Sequence, residues 1–288
     1  MPNHASENST GRPRRGTDSL VDRQRDRPSL LPDLDPGVTL LDVDGGRGVP
    51  VVQSLVLDRL LTCAGPAFWV DARGYATTTA LARLAPSRRL LDRVHVARGF
   101  TAYQHYSAVR DLPGAVSDHV TTAADSADRA GPLPAGDADA PTPSLVVAPA
   151  VDAFYRADDA LTDAQSETLQ TRTLAALARY ADGYDVPVLV TRTADDAFAA
   201  PVAAAADRRL RCERTSMGPR FVGEEFETLV YPVGDGSHYQ TTLAYWRDIL
   251  ATRARRVGVE PTPAPAREAS AAPTVDPIAD AFAGPGGR

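Results

Sequence analysis

The stretch that most constrains the fold of this chain runs from Val38 to Leu61 and reads VTLLDVDGGRGVPVVQSLVLDRLL. It combines an apolar strand pattern, a glycine-rich turn and an apolar helix pattern. When such a unit opens a parallel sheet, backbone N–H groups and the positive end of the helix converge on the turn, where an anion can bind. The stretch therefore predicts an α/β domain with a phosphate-shaped loop at Gly45, Gly46, Arg47 and Gly48.

Short apolar strands and helices alternate after this unit, which predicts a mostly parallel sheet with helices on both faces. Two later stretches, Arg208–Thr215 and Glu227–Val233, have period-two patterns that predict antiparallel strands at the C-terminal edge. Thr162 and Gln165 form a capping-box pattern at the start of one helix, and Gly183 is the expected end of that helix. The other predicted strands cover 67–70, 93–97, 144–148 and 186–191, and the other predicted helices cover 77–85, 101–120 and 240–256, with an interruption at 113–114.

Polar segments without periodicity set the expected limits of this α/β domain, which covers residues 37–256. Residues 1–36 are predicted to form a disordered arm, 122–143 a surface insertion or linker, and 257–288 a disordered tail. No apolar run is long enough for a membrane span, and the N-terminus has no apolar signal region. The expected location is therefore the cytoplasm, with no membrane partner.

The basic residues are all arginines, because the 31 Lys and Arg residues include no lysine. Aspartate outnumbers glutamate, and this composition is similar to that of halophilic archaeal proteins, although the net charge of −6 is small for such a source. The absence of lysine excludes both a phosphate-binding lysine and a Schiff-base lysine. The cysteines, Cys63 and Cys212, match no metal or disulfide pattern and are expected to be free thiols.

Several motifs in this order of elements resemble the RecA/RadA recombinases and the KaiC-like ATPases, which share a P-loop nucleotide-binding fold. An apolar strand followed by Tyr155-Arg156-Ala157-Asp158 is similar to the second nucleotide motif of the recombinases, and Val96-Ala97-Arg98-Gly99-Phe100 also recurs there. The resemblance covers roughly residues 35–256. It implies a RecA-like three-layer sandwich, with helices on both faces of a mostly parallel sheet and antiparallel strands at its C-terminal edge.

The resemblance also implies where the nucleotide chemistry should lie, and the residues required for it are replaced. A P-loop reads G-x-x-x-x-G-K-[ST], but Val49 and Pro50 occupy the lysine and Ser/Thr positions. Pro149 stands at the acidic position of the second motif, and Arg73 at the glutamate that activates water. Phosphoryl transfer requires such charged and metal-binding groups. Hydrolysis by the superfamily mechanism is therefore not expected, and no cofactor is predicted; ATP binding without hydrolysis, assisted by Arg47 or Arg73, stays open.

An arginine cluster near the C-terminal strands is the candidate nucleic-acid surface, because the recombinases have DNA-facing loops in this region. The alternative is an edge strand protected from aggregation by its charges, since glutamates lie close by in the sequence. The candidate contacts are Arg208, Arg209, Arg211, Arg214 and Arg220.

Other candidates carry weaker sequence signals. Asp71 and Asp152 stand near predicted strand ends, where α/β enzymes place functional groups. The histidines have no metal-binding spacing, and His105 is expected on a packed helix surface. Ile278 and Phe282 in the tail form an apolar pair that a flexible linker could present as a short docking motif.

The sequence thus favours a non-catalytic RecA/RadA-like protein, an accessory or regulatory module in DNA recombination or repair that binds DNA or a repair protein. One alternative is a KaiC-like regulatory or docking scaffold without a DNA role. Another is an α/β enzyme of a different class with an unrecognised site. Because recombinases assemble with ATP at subunit interfaces, loss of the ATP chemistry favours a monomer or a small oligomer.

Overall fold

The computed structural model describes residues 31–130, 142–215, 218–223, 227–229 and 242–262. The strands are β1 (Gly37–Val43), β2 (Ala67–Asp71), β3 (Val94–Arg98), β4 (Leu145–Ala148), β5 (Pro187–Val190), β6 (Arg208–Thr215), β7 (Gly218–Val222) and β8 (Glu227–Leu229). The helices are α1 (Val49–Thr62), α2 (Thr78–Leu84), α3 (Ala102–Arg110), α4 (Leu112–Ala130), α5 (Ala153–Ala157), α6 (Asp163–Tyr184), α7 (Ala200–Ala204) and α8 (Thr242–Arg256). Short 3-10 helices cover Arg88–Arg93 and Ala197–Ala199.

The described strands form one sheet in the order β3-β2-β4-β5-β1-β6-β7-β8. β1 lies between β5 and β6, and it is parallel to both. β2 is parallel to β3 and β4, and β4 is parallel to β5. β7 is antiparallel to β6 and to β8. The α/β class and the mostly parallel sheet predicted from the sequence are therefore confirmed.

The prediction for Arg208–Thr215 was wrong in one respect. This strand, β6, pairs in parallel with β1 on one side and antiparallel with β7 on the other, so it is not an edge strand. Its alternating pattern indicates that one face of the strand is buried, as Leu210 and Cys212 are. The pattern does not determine whether the neighbouring strands run parallel or antiparallel. β7 was not predicted, and it begins with the turn-forming pair Gly218-Pro219.

Helices cover both faces of the sheet, and each face encloses its own apolar core. On one face, Trp69 of β2 lies in a cluster with Leu55 of α1 and Trp246 of α8. On the other face, Val70 lies in a cluster with Val109 of α3 and Leu177 of α6. Removal of these side chains from water is the main stabilising contribution to this layered arrangement. No helix in the described parts of the chain combines the length and apolar character needed to cross a bilayer.

The ordered domain extends beyond the predicted limits at several points. Leu31 and Leu34 are buried in the core, so the segment from residue 31 to residue 36 does not belong to a disordered arm. α4 continues to Ala130, which places residues 122–130 in a helix and not in an insertion. The Thr262 backbone N–H donates to the Pro86 carbonyl, so residues 257–262 lie against the domain. The remainder of the predicted arm, insertion and tail lies outside the described residues.

The helix ends show which capping signals acted as predicted. The capping box between Thr162 and Gln165 is present at the start of α6. The helix ends at Asp185, which has a left-handed backbone with φ of 51°, and Gly183 lies inside the last turn. The predicted helix at 101–120 is divided at Asp111, and Pro113 lies in the first turn of α4, where its missing N–H costs no helical hydrogen bond.

Candidate functional site

A cleft of about 1010 Å³ opens at the C-terminal edge of the parallel strands. Its walls come from the ends of β1, β5 and β6 and from the turns after β2 and β4. β1 lies between β5 and β6 at this point. The crevice outside the carboxyl ends of parallel strands is where α/β sheets bind ligands. The cleft is therefore the candidate functional site.

The glycine-rich loop joins β1 to α1 and forms one wall of this cleft. Gly45, Gly46 and Gly48 all have positive φ angles, of 81°, 133° and 65°. A Cβ added to Gly48 would lie 2.6 Å from a methyl carbon of Val43, so the close approach of loop and strand requires glycine there. Pro50 lies in the first turn of α1 and contributes no backbone N–H to the loop. The loop therefore combines three left-handed glycines with a proline that lacks one backbone donor.

Arg47 links this loop to the turn after β2. Its guanidinium donates to the Arg73 carbonyl and lies 4.8 Å from the centre of the Tyr75 ring. Arg73 has a positive φ of 61° and is followed by Gly74, with φ of 75°, so the turn projects the exposed Arg73 side chain at the cleft. These two arginines supply exposed positive charge to the mouth of the cleft.

A second arginine network crosses the floor of the cleft. The Arg192 guanidinium donates to both oxygens of Asp42, at 2.8 Å each, and to Asp195 at 2.5 Å. Only 7% of the Arg192 side chain is exposed. The hydrogen bonds that it donates to Asp42 raise the pKa of this guanidinium further above its usual value. Sequence reasoning missed this pair because its partners lie 150 residues apart and belong to no known motif.

Arg211 forms a third link across the sheet edge. It lies 3.1 Å from an oxygen of Asp44 and 3.6 Å from an oxygen of Glu213. The cleft therefore contains both carboxylates and guanidinium groups, and the cations of its floor and of this edge are already paired. Chemically, this arrangement can bind a polar or anionic group at Arg47 and Arg73, and the carboxylates of the same cleft are those that pair with Arg192 and Arg211.

The residues that the resemblance predicts at the positions of nucleotide chemistry lie around the same edge. Val49 packs against the core at the start of α1, and Pro149 is buried at the end of β4. Arg73 lines the cleft, and its guanidinium cannot serve as a general base because it stays protonated. Within the described residues, no three His, Cys, Asp or Glu side chains are placed so that they could hold a metal ion.

Asp71 and Asp152 brace the loops of this edge. One Asp71 oxygen accepts from the Ala76 N–H at 3.0 Å, and the other accepts from Arg98 at 3.2 Å. Asp152, fully buried, accepts from the Thr193 N–H and hydroxyl on one oxygen and from Arg156 on the other. Both carboxylates are buried, each accepts hydrogen bonds on both oxygens, and neither lines the cleft.

The five candidate DNA-binding arginines do not share one surface. Alternation along β6 places Arg209 and Arg211 on the sheet face opposite to Arg208 and Arg214. Arg208 bonds to the Pro36 carbonyl, Arg209 bonds to the Ala203 carbonyl, and Arg220 lies 4.0 Å from Glu213. Arg214 has no acidic partner among the described residues, and its guanidinium carbon lies 4.0 Å from where a Gly45 Cβ would stand. Arg214 is thus the member of the set nearest to the glycine loop.

The histidines in the described part of the chain, His95, His105 and His119, occupy packed positions. His105, predicted on a helix surface, is fully buried, and its Nδ1 lies 2.8 Å from the Tyr155 hydroxyl, which contacts Thr173 at 2.6 Å. Burial lowers the pKa of His105 to about 4 and keeps the ring neutral. His95 stacks on Phe68 and contacts His119 edge-on. None of these rings lines the cleft.

Comparison of the sequence with protein-family models and with curated proteins gives no match. The functional argument therefore depends on the sequence motifs and on the geometry of the cleft.

Proposed function

We propose that this chain is a cytoplasmic, non-catalytic RecA/RadA-like protein that acts by binding, as an accessory or regulatory module in DNA recombination or repair. The observation that carries the proposal is the combination of a retained strand–glycine loop–helix unit with Val49, Pro50 and Arg73 at the positions of the nucleotide chemistry. The parallel sheet and the antiparallel strands at its C-terminal side support the RecA-like part of the proposal.

The absence of hydrolysis follows from the charges around the loop. A transferring phosphoryl group needs a metal ion, a lysine and a residue that orients water. Val49 and Pro50 supply neither charge nor metal ligand, and Arg73 carries a positive charge where a carboxylate would be required. Arg192 and Arg211 lie nearby, but each is paired with a carboxylate, Asp42 or Asp44, and is not free to replace the missing lysine.

Binding is supported by the arginines that remain exposed at this edge. Arg47 and Arg73 line the mouth of the cleft, and Arg214 lies beside the same loop. Arginine contacts to phosphates position nucleic acids without reading sequence. The proposed ligand is therefore single-stranded DNA, bound without base specificity.

ATP turnover is the first test. The purified chain in multimolar KCl should hydrolyse Mg²⁺–ATP no faster than a buffer blank, because Arg73 stands at the position of the carboxylate that activates water in the resembled ATPases. Turnover by the native chain that disappears in Arg47→Ala or Arg73→Ala would overturn the non-catalytic assignment.

DNA binding is the second test, measured by fluorescence anisotropy of a labelled oligonucleotide over a salt series. Each lost phosphate contact lowers the slope of log K against log salt by about 0.7 for a single strand. Arg214→Ala should show this reduction, whereas Arg172→Ala should retain the native slope, since Arg172 is exposed on α6, away from the cleft. No measurable affinity at any salt concentration would contradict the DNA role.

A docking scaffold of the KaiC-like type is the second candidate, and the charge pairing favours it. Arg211 and Arg220 lie against acidic side chains, which leaves less positive charge for phosphates. A chain that binds neither ATP nor DNA but retains a specific protein partner would support this second candidate.

A further inference from the structure

Exposed apolar side chains occur in the edge strand β3 and in the segment that follows it into α3. The exposed fractions are 42% for Val96, 75% for Phe100 and 54% for Tyr103, which are unusually high for large hydrophobic residues. Val96 belongs to β3, and no described strand pairs with the outer edge of β3. We propose that the C-terminal segment Val275–Phe282 of the same chain covers this apolar edge.

The local geometry fixes these side chains at the edge. Val96 is in register with Trp69, and Trp69 is buried while Val96 is not, so the helical layer that covers β2 stops short of β3. A Cβ at Gly99 would lie 2.6 Å from the His105 backbone nitrogen, which shows how closely the chain after β3 approaches α3. The Phe100 N–H donates to the Gln104 side chain, which orders the start of α3. Folded proteins usually protect such an edge, often with a helix or loop.

The tail contains a sequence suited to this surface. Asp276 followed by Pro277 is a typical helix start, and Gly284 followed by Pro285 is a typical stop. Between them, Ile278 and Phe282 are four residues apart and would lie on one face of a short helix. A short amphipathic helix that places an apolar face in a groove is a common docking mode.

The chain path brings this segment to the correct side of the sheet. The last described residue, Thr262, bonds to Pro86, and the chain runs from Pro86 through the 3-10 helix directly into β3. The Pro86–Val94 stretch can span no more than about 30 Å, whereas the tether from Thr262 to Ile278 extends to roughly 50 Å. The tail can therefore reach β3 without any change in the domain.

The positive charge beside this surface favours the tail segment over the N-terminal arm as its occupant. Val275–Phe282 carries Asp276 and Asp280 and no basic residue. Three exposed arginines precede β3, Arg83 in the last turn of α2 and Arg88 and Arg89 in the 3-10 helix, and none has an ion pair among the described residues. The arm contains the arginine-rich runs RPRR and DRQRDR, which this surface would repel.

Hydrogen–deuterium exchange of the full chain tests the proposal. The variant Ile278→Asp/Phe282→Asp should expose the edge and speed exchange of the amides from Val94 to Tyr103 by about tenfold. The matched control Ala271→Asp/Ala272→Asp adds the same charges to the same tail and should exchange like the native chain. The amides of β4 and β5 should be unchanged in both variants, because the core is not altered.

Two outcomes would overturn the proposal. Equal exchange in the native chain and in the Ile278→Asp/Phe282→Asp variant would show that the tail does not cover β3. Protection that disappears when the native chain is diluted would assign the covering segment to a second copy. The readout is independent of ATP and DNA, so it can fail while the proposed function holds.

Discussion

At the scale of single residues, ion pairs between neighbouring loops fix the shape of the cleft. Arg192 joins β1 to the loop after β5, and Arg211 joins β6 to the glycine loop. Asp152 joins the segment after β4 to Thr193 after β5. Arg192 and Asp152 are buried, and a buried charge is tolerated only when partners compensate for its lost hydration, so their contacts hold the loops in one arrangement. The Arg211–Asp44 pair is exposed and contributes less.

Removal of the Asp152 carboxylate should therefore be costly. Asp152→Ala removes a fully buried carboxylate, leaves the Thr193 N–H without its acceptor and weakens the placement of Arg156, so we expect a loss of about 3 kcal/mol in the free energy of unfolding. Asp159→Ala removes an exposed carboxylate from the same region and should change stability by less than about 0.5 kcal/mol. Urea unfolding followed by tryptophan fluorescence measures both. Similar stability of the two variants would show that Asp152 is not a brace.

At the scale of elements, the two ends of α6 show which features the local sequence determines and which depend on tertiary packing. The capping box at Thr162 was predictable because both of its hydrogen bonds are local. The C-terminal end of α6 was not, because Ala181 and Tyr184 pack against the apolar core and extend the helix past Gly183. Packing on the sheet thus overrides the local preference of glycine to stop a helix.

Gly183 is consequently a site where stability can be increased. It lies in the last turn of α6, and a Cβ there would meet no atom within 4 Å. Gly183→Ala should stabilise the fold by about 0.5–1 kcal/mol, since alanine loses less backbone entropy in a helix. Gly48→Ala should have the opposite effect, because its Cβ would collide with Val43. Midpoints of thermal unfolding would show the two signs, and a destabilised Gly183→Ala variant would contradict the helical assignment.

The same distinction between local sequence signals and tertiary contacts applies to the candidate site. The strand–loop–helix unit could be predicted from the sequence because its hydrophobic periodicity and glycines are contiguous. The Arg192–Asp42 and Arg211–Asp44 pairs could not, because they depend on which strands become neighbours. The direction of β6 was missed for the same reason: a period-two pattern reports one buried face and not the partner strand.

At the scale of the whole molecule, two buried ionisable groups act on stability in opposite directions with pH. Burial lowers the pKa of His105 to about 4, so the unfolded chain binds its proton first as the pH falls below 6.5. Burial raises the pKa of Asp58 to about 6 despite its 2.9 Å contact with Arg253, so the folded chain binds that proton first. Acidification through this range therefore weakens the fold through His105 and strengthens it through Asp58.

Substitution of His105 should remove one of these two opposing effects of pH on stability and so reveal its size. The stability of the native chain relative to His105→Gln should fall by about 3 kcal/mol between pH 6.5 and pH 4, because only the native chain must keep a buried imidazole neutral. Unfolding curves at several pH values, followed through the buried Trp69 and Trp246, give this difference. Parallel pH profiles for the two proteins would show that His105 does not titrate as its burial requires.

The central position of β1 also governs how the chain can fold during synthesis. β1 is the first of the described strands to leave the ribosome, yet its neighbours, β5 and β6, begin only at Pro187 and Arg208. β2, β3 and β4 can pair with one another long before that, so the sheet is expected to assemble from its far side towards β1. Such non-local pairing slows folding, and a nascent or truncated chain that lacks β5 and β6 exposes both edges of an apolar strand. Early termination of translation is therefore expected to yield an aggregation-prone fragment.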